Sequence, residues 1–170
     1  NAEVDQLFIQ SVMKLIAQRG TPILIALAGA TAAGKTEIVE RLGVAFKQAK
    51  RRTTSIELDN FFTDRDEREA RGIDSQGKEA LHFDLLTRAL QDIIQGKKIS
   101  TPRYDFLDGS SSHDSDGRLK PGRVPVEVEP ADIIFIEGNF PFLIDEIVHL
   151  IGIKVVYLTD DPIRLKRKSK

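Results

Sequence analysis

Short apolar runs alternate along the chain with longer stretches in which apolar residues recur every three or four positions. Residues 23–28 (Ile-Leu-Ile-Ala-Leu-Ala) and 133–136 (Ile-Ile-Phe-Ile) are apolar throughout, which is typical of strands buried on both faces of a parallel sheet. Residues 53–58 and 153–158 add two further strands. Because parallel neighbours need a crossover that usually holds a helix, the alternation predicts an α/β fold, with a parallel β-sheet flanked by helices on both faces in three layers.

Several stretches have the pattern of helices. Residues 3–19 carry one apolar stripe and end at Gly20, ahead of Thr21-Pro22. We expect this first helix, in residues 1–20, to pack on an edge of the sheet; binding a partner is the alternative, although such stripes usually face the core. Further helices are predicted at 36–47, 81–96 and 142–150, and from Asp161-Pro162 onward.

Two segments between these elements lack the patterns of regular structure. Residues 63–78 are dense in charge and contain Gly72 and Gly77, which predicts an exposed helix–loop segment. Residues 107–125 are rich in Gly, Ser, Asp and Pro, and a loop of that length in a compact domain is either functional or disordered. Residues 126–128 (Val-Glu-Val) then alternate like an edge strand.

The turn after the first strand has a pattern with a known chemistry. It fits G-x-x-x-x-G-K-[ST], the phosphate-binding loop of nucleotide-binding proteins. Its glycines let backbone N–H groups approach phosphate oxygens, and the dipole of the following helix adds positive potential. Lys35 suits the β- and γ-phosphates, and the Thr36 hydroxyl suits Mg²⁺. A chance glycine-rich turn is the alternative, but the flanking strand and helix match the context that the motif requires. The loop consists of Gly29, Ala30, Thr31, Ala32, Ala33, Gly34, Lys35 and Thr36.

Two carboxylates follow predicted strands at the ends where ligands bind in open α/β sheets. Asp59 follows the strand at 53–58, and Glu137 follows the strand at 133–136. Phosphoryl transfer to a hydroxyl needs a carboxylate that accepts the hydroxyl proton and a metal held at the phosphates. Asp59 suits the first role and Glu137 the second. Both would converge on the Thr36 side of the loop if their strands neighbour the first strand. The alternatives are a helix N-cap for Asp59 and a solvent-facing strand end for Glu137.

Composition narrows the classes of function. The 170 residues suit one domain, and a net charge of −1 gives no reason to expect a nucleic-acid partner. No apolar run approaches the roughly 18 residues of a membrane span, and no signal-peptide pattern is present, so we expect a cytoplasmic protein without a membrane partner. The absence of cysteine excludes disulfides and thiolate chemistry. The start at Asn1 and the basic run at 164–170 are typical of a piece of a longer chain.

Five motifs in sequence order resemble the uridine kinase and phosphoribulokinase family of P-loop kinases. The resemblance covers residues from about 23 to 168, and its specificity comes from the order of the motifs. The motifs are the phosphate loop at 29–36, Leu58-Asp59-Asn60-Phe61-Phe62, Pro102-Arg103-Tyr104-Asp105-Phe106, Ile136-Glu137-Gly138, and Leu158-Thr159-Asp160-Asp161-Pro162-Ile163-Arg164-Leu165.

The resemblance implies an ATP-dependent, Mg²⁺-dependent kinase for a small hydroxyl-bearing metabolite, with its kinase domain in residues 21–170. It makes Asp59 the catalytic base and Glu137 a partner of the Mg²⁺ site. It also implies that Arg164 and Arg167 contact phosphates at the start of a lid, most of which would follow Lys170.

The resemblance also implies that Asp84 and Tyr104 lie near the molecule that accepts the phosphoryl group. His82, beside Asp84, is expected on the helix surface. Further acceptor candidates are His113, Arg118 and Arg123, with an unstructured loop as the alternative for all three.

The sequence also departs from the family pattern. No proline follows Asp84, and residues 107–122 insert Ser, Asp and Gly after the Tyr-Asp-Phe segment, so the acceptor could be a nucleoside or a sugar-type molecule. A nucleotide-binding regulatory or switch domain, or a domain that binds nucleotide without turnover, is the alternative function. The sequence leaves open whether the protein forms a homo-oligomer or belongs to a larger parent chain.

Overall fold

The computed structural model describes residues 2–29, 32–74, 77–138 and 149–157, and the side chains of 6–28, 39–74, 77–138 and 149–154. In chain order the strands are β1 (Ile23–Gly29), β2 (Thr53–Glu57), β3 (Ile99–Thr101), β4 (Tyr104–Asp105), β5 (Ser110–Ser111), β6 (Val126–Val128), β7 (Ile133–Gly138) and β8 (Ile153–Tyr157). The helices are α1 (Ala2–Arg19), α2 (Ala32–Gln48), α3 (Arg65–Ala70) and α4 (Phe83–Ile94), with short 3-10 turns at Leu58–Phe61 and Lys78–Ala80.

Four strands form a parallel sheet in the order β2-β7-β1-β8. Strand β1 lies between β7 and β8, and Ile25 stands opposite Phe135 on one side and Ile153 on the other. All four strands of this sheet coincide with strands predicted from the sequence, and the two central ones, β1 and β7, coincide with its apolar runs. The parallel sheet is therefore confirmed.

Each face of the sheet buries its own hydrophobic cluster. Successive residues of a strand point to opposite faces, so Ala26 of β1 packs toward α4, whereas Ile25 packs toward α2. Helices therefore cover both faces, which confirms the three-layer architecture. The α4 side contains Leu24, Ala26, Ile56, Leu58, Leu86, Leu90, Ile93, Ile134 and Ile136, and the α2 side contains Val12, Ile16, Ile25, Leu27, Leu42, Phe46, Ile133 and Phe135.

Helix α1 does not pack on an edge of the sheet, and that expectation was wrong. Its residues Val12 and Ile16 are buried in the same cluster as Leu42 of α2 and Ile25 of the central strand β1. The helix therefore shares one face of the sheet with α2. An apolar stripe identifies the residues that become buried but not the surface that covers them.

The segment 107–125 is held by hydrogen bonds, so the alternative of an unstructured loop does not hold. Strand β5 pairs with β4, and His113 forms an isolated bridge with Leu119. Strand β6 pairs with β3 in a second small antiparallel ribbon that is not hydrogen-bonded into the main sheet. Residues 63–78 contain the short helix α3, as the charge pattern predicts.

Candidate active site

The carboxyl ends of β2, β7 and β1 lie side by side at one end of the sheet, which we call the carboxyl edge. Glu137 of β7 stands opposite Leu27 of β1 and Glu57 of β2. Strand β1 ends at Gly29, where the phosphate-loop motif begins, and Asp59 follows Glu57 by two residues. The loop, Glu137 and Asp59 thus share one edge. Strand β7 is the direct neighbour of β1, whereas the strand that leads to Asp59 lies one position farther out.

The phosphate-loop motif runs from the end of β1 into α2. Because α2 begins at Ala32, the motif residues from Ala32 to Thr36 are helical, and a strand, a turn and a helix follow one another as the motif requires. Ala30, Thr31 and the side chains of Lys35 and Thr36 lie outside the described residues. So do residues 142–148 of the predicted helix at 142–150, the last helix, and the candidates Arg164 and Arg167. Residues 149 and 150 form a turn.

Glu137 faces the side of the sheet that α2 covers. Ile133 and Phe135 belong to the cluster beneath α2, and Glu137 shares their side because side chains alternate along a strand. Its side chain is half-buried, unlike the solvent-facing strand end that was the alternative. Its carboxylate therefore lies on the face of the sheet that also carries the helical end of the phosphate loop.

Asp59 sits in the 3-10 turn that follows β2. The residue at the N-cap position of this turn is Glu57, and Asp59 lies in the first turn, so the N-cap alternative for Asp59 does not hold. Its neighbours Leu58 and Phe61 are fully buried, which anchors the turn in the core. The Asp59 side chain itself is half-buried at the carboxyl edge of the sheet.

Tyr104 is attached to the Asp59 turn through the neighbouring residue Asn60. The backbone N–H of Tyr104 donates to Oδ1 of Asn60 over 3.3 Å. The Tyr104 ring lies edge-on to Phe62, with ring centroids 5.5 Å apart, and edge-on to Phe106 at 4.8 Å. Strand β4 and the turn that holds Asp59 therefore form one packed unit.

Arg68 of α3 is buried against this unit. Its Nη2 donates to the Tyr104 hydroxyl over 2.7 Å, and its Nε donates to the carbonyl oxygen of Thr63 over 3.2 Å. The guanidinium carbon lies 4.9 Å from the centre of the Phe62 ring. Sequence reasoning missed Arg68, because it lies in a segment so rich in charge that exposure was expected.

A cleft of about 400 Å³ opens beside Asp84, at the start of α4. Asp84 is exposed. Ser115 and Asp116, in the turn that precedes Arg118, line the cleft together with Asp84. Of the residues predicted from the sequence to contact the phosphoryl acceptor, Asp84 therefore lines this cleft. Arg118 comes directly after lining residues in the chain. The lining also includes Thr63, Glu79 and Arg88.

A polar network holds the segment 110–120 against the start of α3. The carboxylate of Asp64 accepts from the Ser111 N–H over 2.7 Å and from Nζ of Lys120 over 2.9 and 3.0 Å. Burial favours a raised pKa for Asp64, but the bonds from Ser111 and Lys120 outweigh it and hold that pKa below its usual range. Asp64 is therefore a carboxylate at neutral pH and fixes the segment in place.

His82 is buried rather than on the helix surface, so the expectation for it was wrong. Only 8% of it is exposed, and its Nε2 lies 3.0 Å from Oγ of Ser111. Burial, helped by the nearby His113, lowers the pKa of His82 to about 4. His82 is thus neutral at physiological pH. Its partner Ser111 lies 29 positions away in sequence, so no local pattern identifies the contact.

The other candidates in the segment 107–125 make mainly local contacts. Arg123 donates from Nη2 to Oγ of Ser110 over 2.8 Å. The Arg118 N–H donates to Oδ1 of Asp114 over 3.0 Å, while its side chain is exposed. His113 contacts Oγ of Ser112 through Nδ1 at 2.8 Å, and burial lowers the pKa of His113.

The chemistry of the edge residues fits Mg²⁺. Among the described side chains, no group of three or more His, Asp or Glu residues could hold a metal ion by itself. Magnesium in phosphoryl-transfer sites is usually bound by one or two carboxylates, substrate phosphates and water. Glu137, beside the start of the phosphate loop, is a carboxylate of this kind.

The fold and this edge define the chain as a P-loop α/β domain, and comparison with known proteins agrees. Residues 24–170 match the Phosphoribulokinase / Uridine kinase family. The chain is 33% identical over 154 residues to a uridine kinase of Brevibacillus brevis and 29% identical over 157 residues to uridine-cytidine kinase 2-B of Danio rerio. These alignments cover 88% and 86% of this chain.

A solved structure described as a possible uridine kinase from Bacillus stearothermophilus has the same fold. The TM-score is 0.66 at 19% identity, and the match covers 93% of this chain and 82% of that one. The chain belongs to the phosphoribulokinase and uridine kinase family, as its motifs indicate. It spans 65% of the length of the Brevibacillus brevis protein and 56% of the Danio rerio protein. In the described part of the chain, no helix has the length and apolar character needed to cross a membrane.

Proposed function

We propose that this protein is an ATP-dependent kinase that transfers the γ-phosphoryl group to a hydroxyl of a nucleoside, such as a uridine-like or cytidine-like molecule, or of a sugar-type acceptor. The observation that carries the proposal is the parallel register at the carboxyl edge. It sets Glu137 beside the strand that feeds the phosphate loop and brings the turn with Asp59 to the same edge. Family membership supports the same class of reaction.

In this proposal the backbone of residues 29–36 and the Lys35 ammonium hold the phosphates. Thr36 and Glu137 would hold Mg²⁺, which would supply positive charge to the phosphate oxygens. Arg164 and Arg167 add positive charge at the phosphates. The domain comprises residues 21–170, with the helix in 1–20 packed on it.

Asp59 accepts the proton of the acceptor hydroxyl in the proposed reaction. The acceptor oxygen forms a bond to the γ-phosphorus, and the bond from that phosphorus to the oxygen bridging to the β-phosphate breaks, so ADP leaves. The position of Asp59 in a turn anchored by buried neighbours supports this role, since a base must be held in a fixed place. Asp84, Tyr104, Arg118 and Arg123 form the proposed acceptor side.

An ADP-release assay on the full-length protein tests the proposal. ATP and Mg²⁺ are supplied with nucleosides, ribulose 5-phosphate, pantothenate or related hydroxyl compounds. We expect ADP release that depends on one class of acceptor and is lost in Lys35→Ala together with ATP binding. Nucleotide binding with the same response to every acceptor would instead favour a regulatory or switch domain. The expected cytoplasmic location stays a prediction.

A further inference from the structure

The hydroxyl of Tyr104 is buried and bonded to a group that can only donate. A guanidinium carries five N–H donors and no acceptor, so in the 2.7 Å contact the Tyr104 oxygen must accept from Nη2 of Arg68. The proton of the hydroxyl then points elsewhere. Among the described residues, no hydrogen-bond acceptor binds that proton, although only 7% of Tyr104 is exposed.

We propose that Arg68 is a positioning residue for the acceptor: by donating to Tyr104, it leaves the Tyr104 O–H free to donate to a lone pair of the molecule that is phosphorylated. This inference rests on the proposed kinase function. It identifies the acceptor chemically, as a molecule that offers a carbonyl or hydroxyl oxygen, or an unprotonated ring nitrogen, to this donor.

The packing around Arg68 fixes the direction of its bond. Its Nε is held by the carbonyl oxygen of Thr63, and its planar head lies against the ring of Phe62. These contacts immobilise the guanidinium at 9% exposure. An immobile donor leaves the Tyr104 hydroxyl one stable orientation, in which its proton faces away from α3.

Tyr104 is close to the proposed catalytic base through the backbone. Its N–H is bonded to Oδ1 of Asn60, the residue after Asp59. A molecule whose hydroxyl reaches Asp59 therefore lies next to Tyr104. A donor held there selects the orientation of the acceptor, because a site built around one hydrogen bond discriminates strongly against molecules that cannot complete it.

A merely structural role for Arg68 is the competing explanation, and a double-mutant cycle separates the two. The variants are Tyr104→Phe, Arg68→Met and the double variant, in the full-length protein with the acceptor found in the ADP-release assay. We expect Tyr104→Phe to raise the KM for the acceptor about tenfold and to leave the KM for ATP within about twofold, the usual size of one lost hydrogen bond. Arg68→Met should raise the acceptor KM by a similar factor.

In the Tyr104→Phe background, Arg68→Met should change the acceptor KM by less than about twofold, because the hydroxyl through which Arg68 acts is already gone. Equal effects in both backgrounds would overturn the proposal and leave Arg68 a packing residue. Arg68→Lys keeps a hydrogen-bond donor and adds no hydrogen-bond acceptor. This variant should therefore keep most of the affinity for the molecule that is phosphorylated. Arg51→Met, at an exposed arginine just before the amino end of β2, is the matched control.

Loss of the buried guanidinium could unfold the Met variant, so thermal unfolding is measured for each protein. Arg68→Gln then provides the second route, since its amide oxygen can accept the Tyr104 proton and turn it inward. A folded Gln variant with the wild-type KM for the acceptor would overturn the proposal. Wild-type protein that releases no ADP with any acceptor would overturn the kinase function itself, which distinguishes the two failures.

Discussion

Gly138 and Leu58 approach each other so closely that a side chain at position 138 has no room. A Cβ added to Gly138 would lie 2.8 Å from the Cβ of Leu58, which is fully buried. Gly138 ends β7 directly after Glu137, and Leu58 precedes Asp59 in the 3-10 turn. The contact therefore sets the spacing between the two acids that the proposed mechanism uses.

The variant Gly138→Ala should lower the free energy of unfolding by about 1–3 kcal/mol, because an extra methyl group in a close-packed contact forces its neighbours apart. It should also reduce turnover, since displacement of Leu58 shifts Asp59. Denaturant unfolding and steady-state kinetics measure the two effects. Gly43→Ala in α2 is the control: an added Cβ there meets no atom within 4 Å, and alanine favours a helix by about 0.5–1 kcal/mol. Equal stability of the two variants would contradict this account of Gly138.

The variant Asp59→Asn should lower turnover by roughly a hundredfold or more, the usual scale for the loss of a general base. Its affinity for ATP should change by less than about twofold, because the phosphates are held at residues 29–36. Kinetics and ATP titration measure these quantities separately. Asp66→Asn, at an exposed acid of α3, is the control. Unchanged turnover in Asp59→Asn would remove the base assignment.

Acid should destabilise the fold through His82. Because burial lowers its pKa to about 4 while an unfolded histidine has a pKa near 6.5, the unfolded chain binds a proton over this range that the folded chain does not. The free energy of unfolding therefore falls as the pH drops from about 6.5 to 4, by roughly 2–3 kcal/mol for this residue. When the free energy of unfolding is measured across this pH range, its dependence on pH should be weaker in His82→Gln than in the wild-type protein. Equal slopes in the wild-type protein and in His82→Gln would contradict the prediction.

Asp64 should control the order of the segment 110–120. In Asp64→Ala the Ser111 N–H loses its acceptor, so its hydrogen exchange should accelerate about tenfold or more, which reflects the loss of one hydrogen bond and one ion pair. Asp64→Asn keeps an oxygen for Ser111 and loses only the charge that pairs with Lys120, so exchange at Ser111 should change by less than about threefold. The Leu90 amide in α4 reports on global opening. Equal acceleration at Ser111 and Leu90 would mean that Asp64 stabilises the whole fold instead of this segment.

The centre of the main sheet could be predicted from the sequence because strands β1 and β7 are buried on both faces. An uninterrupted apolar run such as Ile133–Ile136 has few other places in a globular domain. The phosphate loop was equally clear, since the backbone geometry that it needs requires glycine at Gly29 and Gly34. The direction of the strands then followed from the helices between them, and with it the common edge for Asp59 and Glu137.

The contacts around the proposed acceptor side could not be predicted, because they join residues far apart in sequence. Arg68 and Tyr104 are 36 positions apart, and His82 and Ser111 are 29 apart. Strands β4 and β5 have two residues each, too short to show an alternating pattern. The burial of Arg68 depends on aromatic surfaces that only the folded chain brings together, and a charge-rich segment gives no sign of them.

The most direct test of the proposed reaction follows the γ-phosphoryl group itself. The full-length protein is incubated with ATP labelled at the γ-phosphorus, Mg²⁺ and the acceptor that stimulates ADP release, and the products are separated. Phosphoryl transfer with Asp59 as base predicts that the label appears on a hydroxyl of the acceptor in a one-to-one ratio with ADP, and that both products fall together in Asp59→Asn. Label recovered as inorganic phosphate, with none on the acceptor, would contradict the kinase function and indicate a nucleotide-hydrolysing regulatory domain.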